Sequence, residues 1–325
     1  MRKFVSVAAL GLASVLALAG CSGDPSAAPT ATEDGGSVAE MTAITVGVIP
    51  IVDVAPIYLG VDQGFFEEEN LDVTLELAQG GAAIVPAVVS GDYEFGFSNV
   101  TSLLLATSNG VPLKAVAPGN FSTGEAPDFG GVVVPADSPI QSAADLEGHT
   151  VAVNTLNNIG DSTIRNVVEE DGGDPDGLQF VELGFPDMPA AVTGGQVDAA
   201  WIVEPHLTRA IDAGARVVAW NFFETDPDLM VAAYFTSQQY AADNPEVIEA
   251  FQRALTKSFE FAEANPEETR AVLDQYTKID PAVKEAMVMP RFLPEFSEDS
   301  VQLLADLALK YGLVTSEIEY SSLLP

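Results

Sequence analysis

The chain is 325 residues long, 47% hydrophobic by composition, and carries 13 Lys and Arg against 48 Asp and Glu, a formal net charge of −35. That length accommodates one large domain or two ordinary ones around a sizeable core. The acidic balance excludes nucleic-acid binding, which needs stripes of Lys and Arg, and disfavours adhesion to anionic lipid; a solubilising acidic surface accounts for it.

Arg2 and Lys3 form a short basic start, residues 4–19 an apolar and small-residue run, and the only cysteine, Cys21, follows Leu18-Ala19-Gly20. This is the layout of a secretory signal peptide over residues 1–20, too short to span a membrane comfortably, which takes roughly 20 apolar residues. With cysteine directly after the small residues, it resembles a bacterial lipoprotein signal, which implies cleavage before Cys21 and lipid on its sulfur. One cysteine leaves neither a disulfide nor a cysteine metal site within the mature chain. Residues 21–41, rich in Ser, Ala, Pro, Thr, Gly and acids, read as a disordered tether.

From residue 44 the pattern becomes regular. The β-branched run Ile44-Thr45-Val46-Gly47-Val48 predicts a strand, residues 50–53 a loop, and 55–63 a helix stopped by Gly64. Strands are expected at 73–77, 94–98 and 113–117, with helices at 82–90 and 101–108 between them. The pattern restarts after Pro135. Strands at 150–154, 178–181, 198–202 and 216–219 alternate with helices at 162–170, 188–192 and 204–213, and a strand at 230–236 leads back toward the first unit. From Asn244 the chain turns helical, with Pro245-Glu246 and Pro266-Glu267-Glu268 as N-terminal signals and later helices at 281–287 and 298–311. Strands alternating with short helices give an α/β architecture with largely parallel pairing.

In an open α/β sheet, ligands sit beyond the carboxyl ends of the strands. That rule selects Pro50 and Asp53, the Gly80-Gly81 turn, the cluster Ser98, Asn99 and Thr101, the amide-rich loop Asn154, Thr155, Asn157 and Asn158, the loop at 185–188, and Glu204. Gly80 and Gly81 leave free N–H groups at a dipole-positive helix end, or simply turn the chain. Ser98, Asn99 and Thr101 can bond a small ligand or cap the next helix. The amides of the 154–158 loop can read both donors and acceptors. Glu204 can complement a helix dipole. Tyr58 and Trp201 can stack on a planar ligand or pack in the core. Between residues 42 and 230 the only basic side chains are Lys114, Arg165, Arg209 and Arg216, none in these loops. A ligand bearing an amine, or a neutral heteroaromatic such as a pyrimidine, therefore fits better than a simple anion. No Gly-x-Ser-x-Gly elbow, phosphate loop or HExxH motif occurs, and His149 and His206 are the only histidines.

The stretches Ile44-Thr45-Val46-Gly47-Val48-Ile49-Pro50, Gly64-Phe65-Phe66-Glu67-Glu68, Ser90-Gly91-Asp92-Tyr93-Glu94-Phe95-Gly96, Asp145-Leu146-Glu147-Gly148 and Gly195-Gln196-Val197-Asp198-Ala199-Ala200-Trp201, the last leading into Glu204-Pro205, carry a resemblance that spans roughly residues 42–310. Together they resemble solute-binding proteins of ABC importers, within the nitrate/sulfonate/taurine and thiamine-pyrimidine-precursor binding superfamily. The resemblance implies a type II periplasmic-binding-protein fold: two α/β lobes joined by two crossover strands, with the C-terminal helices on the first lobe. Lobe one would take residues 42–132 and 233–325, lobe two 133–232, with crossovers near 130–137 and 229–236. It also implies a monomeric binder, not an enzyme, with no cofactor or metal. Such a protein is exported and lipid-anchored to the outer face of the bacterial cell membrane, or periplasmic. It captures a small polar organic solute (taurine- or sulfonate-like, amine-bearing or pyrimidine-like) and delivers it to an ABC permease with its ATPase. In the taurine-type proteins an acid at the position of Glu204 resembles the partner of the ligand amine. Two alternatives stand beside this. One is a thiamine-pyrimidine biosynthetic enzyme on the same fold, which resembles a Cys-rich iron site that this chain lacks the cysteines to build. The other is a ligand-sensing lipoprotein without transport.

Overall fold

The computed structural model describes residues 41–325. The expected signal segment, Cys21 and the tether up to residue 40 lie outside the described residues.

The strands, in chain order, are β1 (Thr42–Val48), β2 (Leu71–Leu77), β3 (Phe95–Asn99), β4 (Leu113–Phe121), β5 (Gly130–Pro135), β6 (Thr150–Val153), β7 (Gln179–Glu182), β8 (Ala199–Val203), β9 (Ala215–Ala219) and β10 (Met230–Ser237). They form two five-stranded sheets of matching order, β2-β1-β3-β10-β4 and β7-β6-β8-β5-β9. β1 and β6 each run parallel to both neighbours. Covered on both faces, they need near-continuous apolar runs, and Val46, Gly47 and Val48 or Val151, Ala152 and Val153 are buried without alternation.

The expected parallel pairing holds for β2-β1-β3 and β7-β6-β8 only. β10 runs antiparallel to β3 and β4, and β5 antiparallel to β8 and β9. The reason is topological. β5 arrives from the other sheet through a helix-free linker and β10 through one holding only the five-residue helix Asn221–Thr225, both shorter than the crossover a parallel neighbour requires. Sheet membership changes within 122–129 and again within 220–229, so the boundaries expected at 132/133 and 232/233 fall inside β5 and β10.

Two side chains tie these linkers together. Buried Asp128 accepts from Ser122 Oγ (2.7 Å), Thr123 N (3.1 Å) and Phe129 N (2.8 Å) in the first linker and from Phe223 N (3.0 Å) in the second. Arg291, from the C-terminal region, donates through Nε to the Ser122 carbonyl (2.6 Å) and through Nη2 to the Pro227 carbonyl (2.8 Å).

The C-terminal helices pack on the first sheet's side. Helix Pro245–Ala264 starts with Pro at its first turn, where no N–H partner is missed, and buries Ala250, Phe251, Ala254, Leu255, Ser258, Phe259 and Ala262, one face at 3.6-residue spacing. Phe251 stacks on Phe95 of β3 with ring centroids 4.0 Å apart. Helix Glu298–Lys310 packs on helix Val100–Ser108 of the first lobe and on helix Ile159–Glu170 of the second.

Candidate ligand-binding cleft

The carboxyl ends of β1, β3, β6 and β8 point to one place between the two sheets. There Ile49, Ile51, Asp53, Phe97 and Asn99 of the first lobe face Asn154, Ile159, Phe185, Trp201, Val203 and Phe222 of the second. Val231 and Ala232, at the start of β10, complete the wall. The space left between the lobes is about 30 Å³, room for little more than a water molecule, so the two stand close against each other here.

Four of the expected residues line this cavity: Asp53, Asn99, Asn154 and Trp201. Asn99 also caps helix Val100–Ser108, its Oδ1 accepting from Ser102 N at 2.8 Å. Trp201 is buried edge-on between Phe185 and Phe222, ring centroids 5.5 and 5.6 Å away, and its Nε1 has no hydrogen-bond partner.

Gly80, Gly81, Ser98 and Thr101 sit just behind the rim. A methyl group on Gly80 would lie 3.7 Å from Asn154 Nδ2 and 3.8 Å from Thr155 Oγ1, so this turn faces the second lobe's amide loop directly. On Gly81 it would lie 1.9 Å from Ser98 Oγ, which is why the helix Gly81–Ser90 must begin with glycine to reach β3. Ser98 and Thr101 are buried with unpartnered hydroxyls.

Pro50, Thr155, Asn157 and Glu204 do not line the cavity. Pro50 and Thr155 are half-buried. Asn157 is exposed, takes a left-handed φ of 51°, and donates its N–H to Asp161 Oδ2, a local turn before the next helix. Its neighbour Asn158 crosses the cleft, Nδ2 donating to Ser102 Oγ at 2.9 Å. Glu204 is buried, and its carboxylate accepts from Thr208 N (2.9 Å), Thr208 Oγ1 (2.7 Å) and Val288 N (3.2 Å). Burial pushes its pKa up, and the Thr208 bonds pull it back. Tyr58 stacks on Tyr276, centroids 4.1 Å apart, inside the first lobe, and is not among the residues that line the cavity.

Asp53 is the charged group of the cleft. It sits in the single turn Val52–Val54 after β1, and burial pushes its pKa up to about 7, partly opposed by a backbone hydrogen bond and the Asn120 amide. Among the described residues, no Lys or Arg lines the cavity. Asn120 and Tyr234 were not anticipated from the sequence. Asn120 lies on β4, whose expected end at 117 falls four residues short, and it opposes Ala232 across β4 and β10. The available signal was an amide inside the apolar run Ala115-Val116-Ala117-Pro118-Gly119-Asn120-Phe121.

Comparison with known proteins gives a consistent picture. Residues 51–269 match the family described as NMT1/THI5 like. The formylaminopyrimidine-binding protein of Halalkalibacterium halodurans is 26% identical over 222 residues, 67% of this chain and 64% of that protein, so the match leaves about a third of that relative unspanned. The 4-amino-5-hydroxymethyl-2-methylpyrimidine phosphate synthase of Aspergillus parasiticus is 23% identical over 277 residues, 78% of this chain and 76% of that protein. Among solved structures, the alkanesulfonate-binding protein SsuA of Xanthomonas axonopodis pv. citri, bound to MOPS, superposes with a TM-score of 0.73 at 20% identity, covering 88% of this chain and 99% of that one. The periplasmic-binding-protein fold and the superfamily expected from the sequence are borne out.

Proposed function

This chain belongs to the NMT1/THI5-like family, and from that premise we propose that it is the solute receptor of an ABC importer, capturing a small polar organic molecule between its lobes and handing it to a permease served by an ATPase. The observation that carries this reading is the cavity itself. It is built from both lobes at the strand ends, apolar for the most part, with Asp53, Asn99 and Asn154 as its polar points. Such a cleft suits capture by burial and hydrogen bonding on closure, with no chemistry required. Gly80, Gly81, Ser98, Thr101, Thr155 and Trp201 serve as its rim and cover, while Pro50 and Asn157 shape the loops on either side. Glu204 already accepts three hydrogen bonds from Thr208 and Val288, which leaves its carboxylate one acceptor site for a ligand amine.

Among solute classes, an amine-bearing or pyrimidine-like molecule is favoured over a simple anion, because no cationic side chain lines the cavity. The relative named for formylaminopyrimidine binding supports this direction. We further read the protein as exported, monomeric and held at the outer face of the membrane by lipid on Cys21. A thermal-shift screen of pyrimidines, amines, taurine and sulfonates tests the receptor reading: a cognate solute raises the melting temperature by mass action, and a flat response across the panel refutes it. Fractionation of a Cys21→Ser variant tests the anchor; retention in the membrane would exclude it.

A further inference from the structure

Lobe one holds a set of buried polar groups that the fold leaves unsatisfied. Asp53 Oδ2, both amide atoms of Asn120 and the Tyr234 hydroxyl make no hydrogen bond of good geometry, the Asn120 amide lying only near enough to Asp53 to lower its pKa, and each of these side chains is at most 3% exposed. They come from three separate elements: the turn Val52–Val54, β4 and β10. Register brings the last two together. Asn120, directly behind the cavity wall and not in its lining, stands opposite Ala232, which lines it, and Tyr234 follows two residues later on β10, past an irregularity in the pairing with β4. Asn120 is also the side chain whose amide bears on Asp53. The second lobe offers a more apolar surface, with Ile159, Phe185, Trp201, Val203 and Phe222, and Asn154 and the Trp201 indole N–H as its polar points.

Native proteins rarely bury this many unpaired groups in one place unless something outside the fold satisfies them. We propose, resting on the solute-receptor reading above, that Asp53 and Asn120 are the specificity-determining pair of the cleft, selecting solutes that present an N–H donor beside an acceptor and rejecting oxyanions. A carboxylate accepts the donor, and the amide answers with whichever end the solute's neighbouring atom requires.

Electrostatics support the same sorting. Burial pushes Asp53 up to about 7, and the second carboxyl acting on it, Asp128, pushes the same way. The other titratable groups around it are the phenols of Tyr58, Tyr234 and Tyr276, so no cation is at hand. An incoming oxyanion would bring negative charge beside two carboxyls whose ionised forms burial already disfavours. An N–H donor would relieve it.

The test uses 4-aminopyrimidine, unsubstituted pyrimidine, methanesulfonate and nitrate as probes, titrated into wild type, Asp53→Asn, Asn120→Ala and Trp201→Ala, each first checked for a cooperative thermal transition. The inference expects 4-aminopyrimidine to bind wild type at least tenfold more tightly than pyrimidine, with no detectable binding of the two oxyanions. Asp53→Asn and Asn120→Ala should each remove most of that tenfold preference, whereas Trp201→Ala should weaken both heterocycles together. If 4-aminopyrimidine binds and only Trp201→Ala matters, the pair is not the selector and the receptor reading stands. Preference for methanesulfonate or nitrate likewise overturns the pair alone. Binding of none of the four overturns both.

Discussion

Asn158 of the second lobe donates from Nδ2 to Ser102 Oγ of the first at 2.9 Å, a buried hydrogen bond that spans the cleft. Both residues stand at helix starts, Ser102 in the first turn of Val100–Ser108 and Asn158 as the cap of Ile159–Glu170. The bond therefore joins two rigid elements across the cleft. Ser102→Ala should remove about 1 kcal/mol of closed-state stabilisation, weakening the solute found in the thermal screen about fivefold. Small-angle scattering should report a larger radius for the free variant. Identical affinity and radius would show that the contact does not bias closure.

The raised pKa of Asp53 has a stability consequence whose sign is fixed. The unfolded chain releases this proton near pH 4, the folded chain only near 7. Between those values the folded state holds more protons, so stability falls as pH rises and levels off above 7. Three pH units correspond to an upper figure of about 4 kcal/mol. Asp53→Asn abolishes this contribution. Urea titration at pH 5 and pH 8 should show the variant gaining on wild type at the higher pH, and a gap that does not widen between the two would contradict the assignment.

Asp128 satisfies four donors from both linkers. Asp128→Ala leaves those donors buried and unpaired, and should cost about 3 kcal/mol, with Asp128→Asn costing about half of that. The linkers' relative freedom should also increase, visible as faster amide exchange at Phe129 and Phe223. A loss under about 1 kcal/mol with unchanged exchange would show that the linkers are held by other contacts.

Glu204→Gln retains one oxygen where the carboxylate serves three donors from Thr208 and Val288. We expect a loss of roughly 1–2 kcal/mol in stability. Calorimetry with an amine-bearing solute run in parallel separates the two roles open to this residue. A drop in affinity beyond the stability loss assigns it a ligand contact, and a melting temperature equal to wild type would refute the structural one.

Much of this molecule was legible in the residues because the signals were local. Ile44, Val46 and Val48 announce a buried strand, and Pro245 with Glu246 a helix start, whatever lies elsewhere. The strand-end rule led to Asp53, Asn99 and Asn154, and the stacking potential of its indole to Trp201, all on the cavity wall. What remained hidden was non-local. The antiparallel insertion of β10 depends on a partner more than 100 residues away, and no periodicity encodes it. Asn120 was missed for the same reason: its position matters only through its register with Ala232. Glu204 shows the converse, since the donors that occupy it come from Thr208 nearby and from Val288 far along the chain.

The place of β10 between β3 and β4 also sets an order of assembly. Among the described residues β4 has no strand neighbour other than β10, and it ends at Phe121, whereas β10 begins at Met230. The whole second lobe must therefore be synthesised, and translocated if the chain is exported, before β4 can pair. Until then its apolar edge stands open, a template for mispairing with another chain. Folding should wait on this late closure, with the slow approach typical of contacts far apart in sequence. A chain truncated before Met230 should aggregate instead of yielding a half-folded lobe.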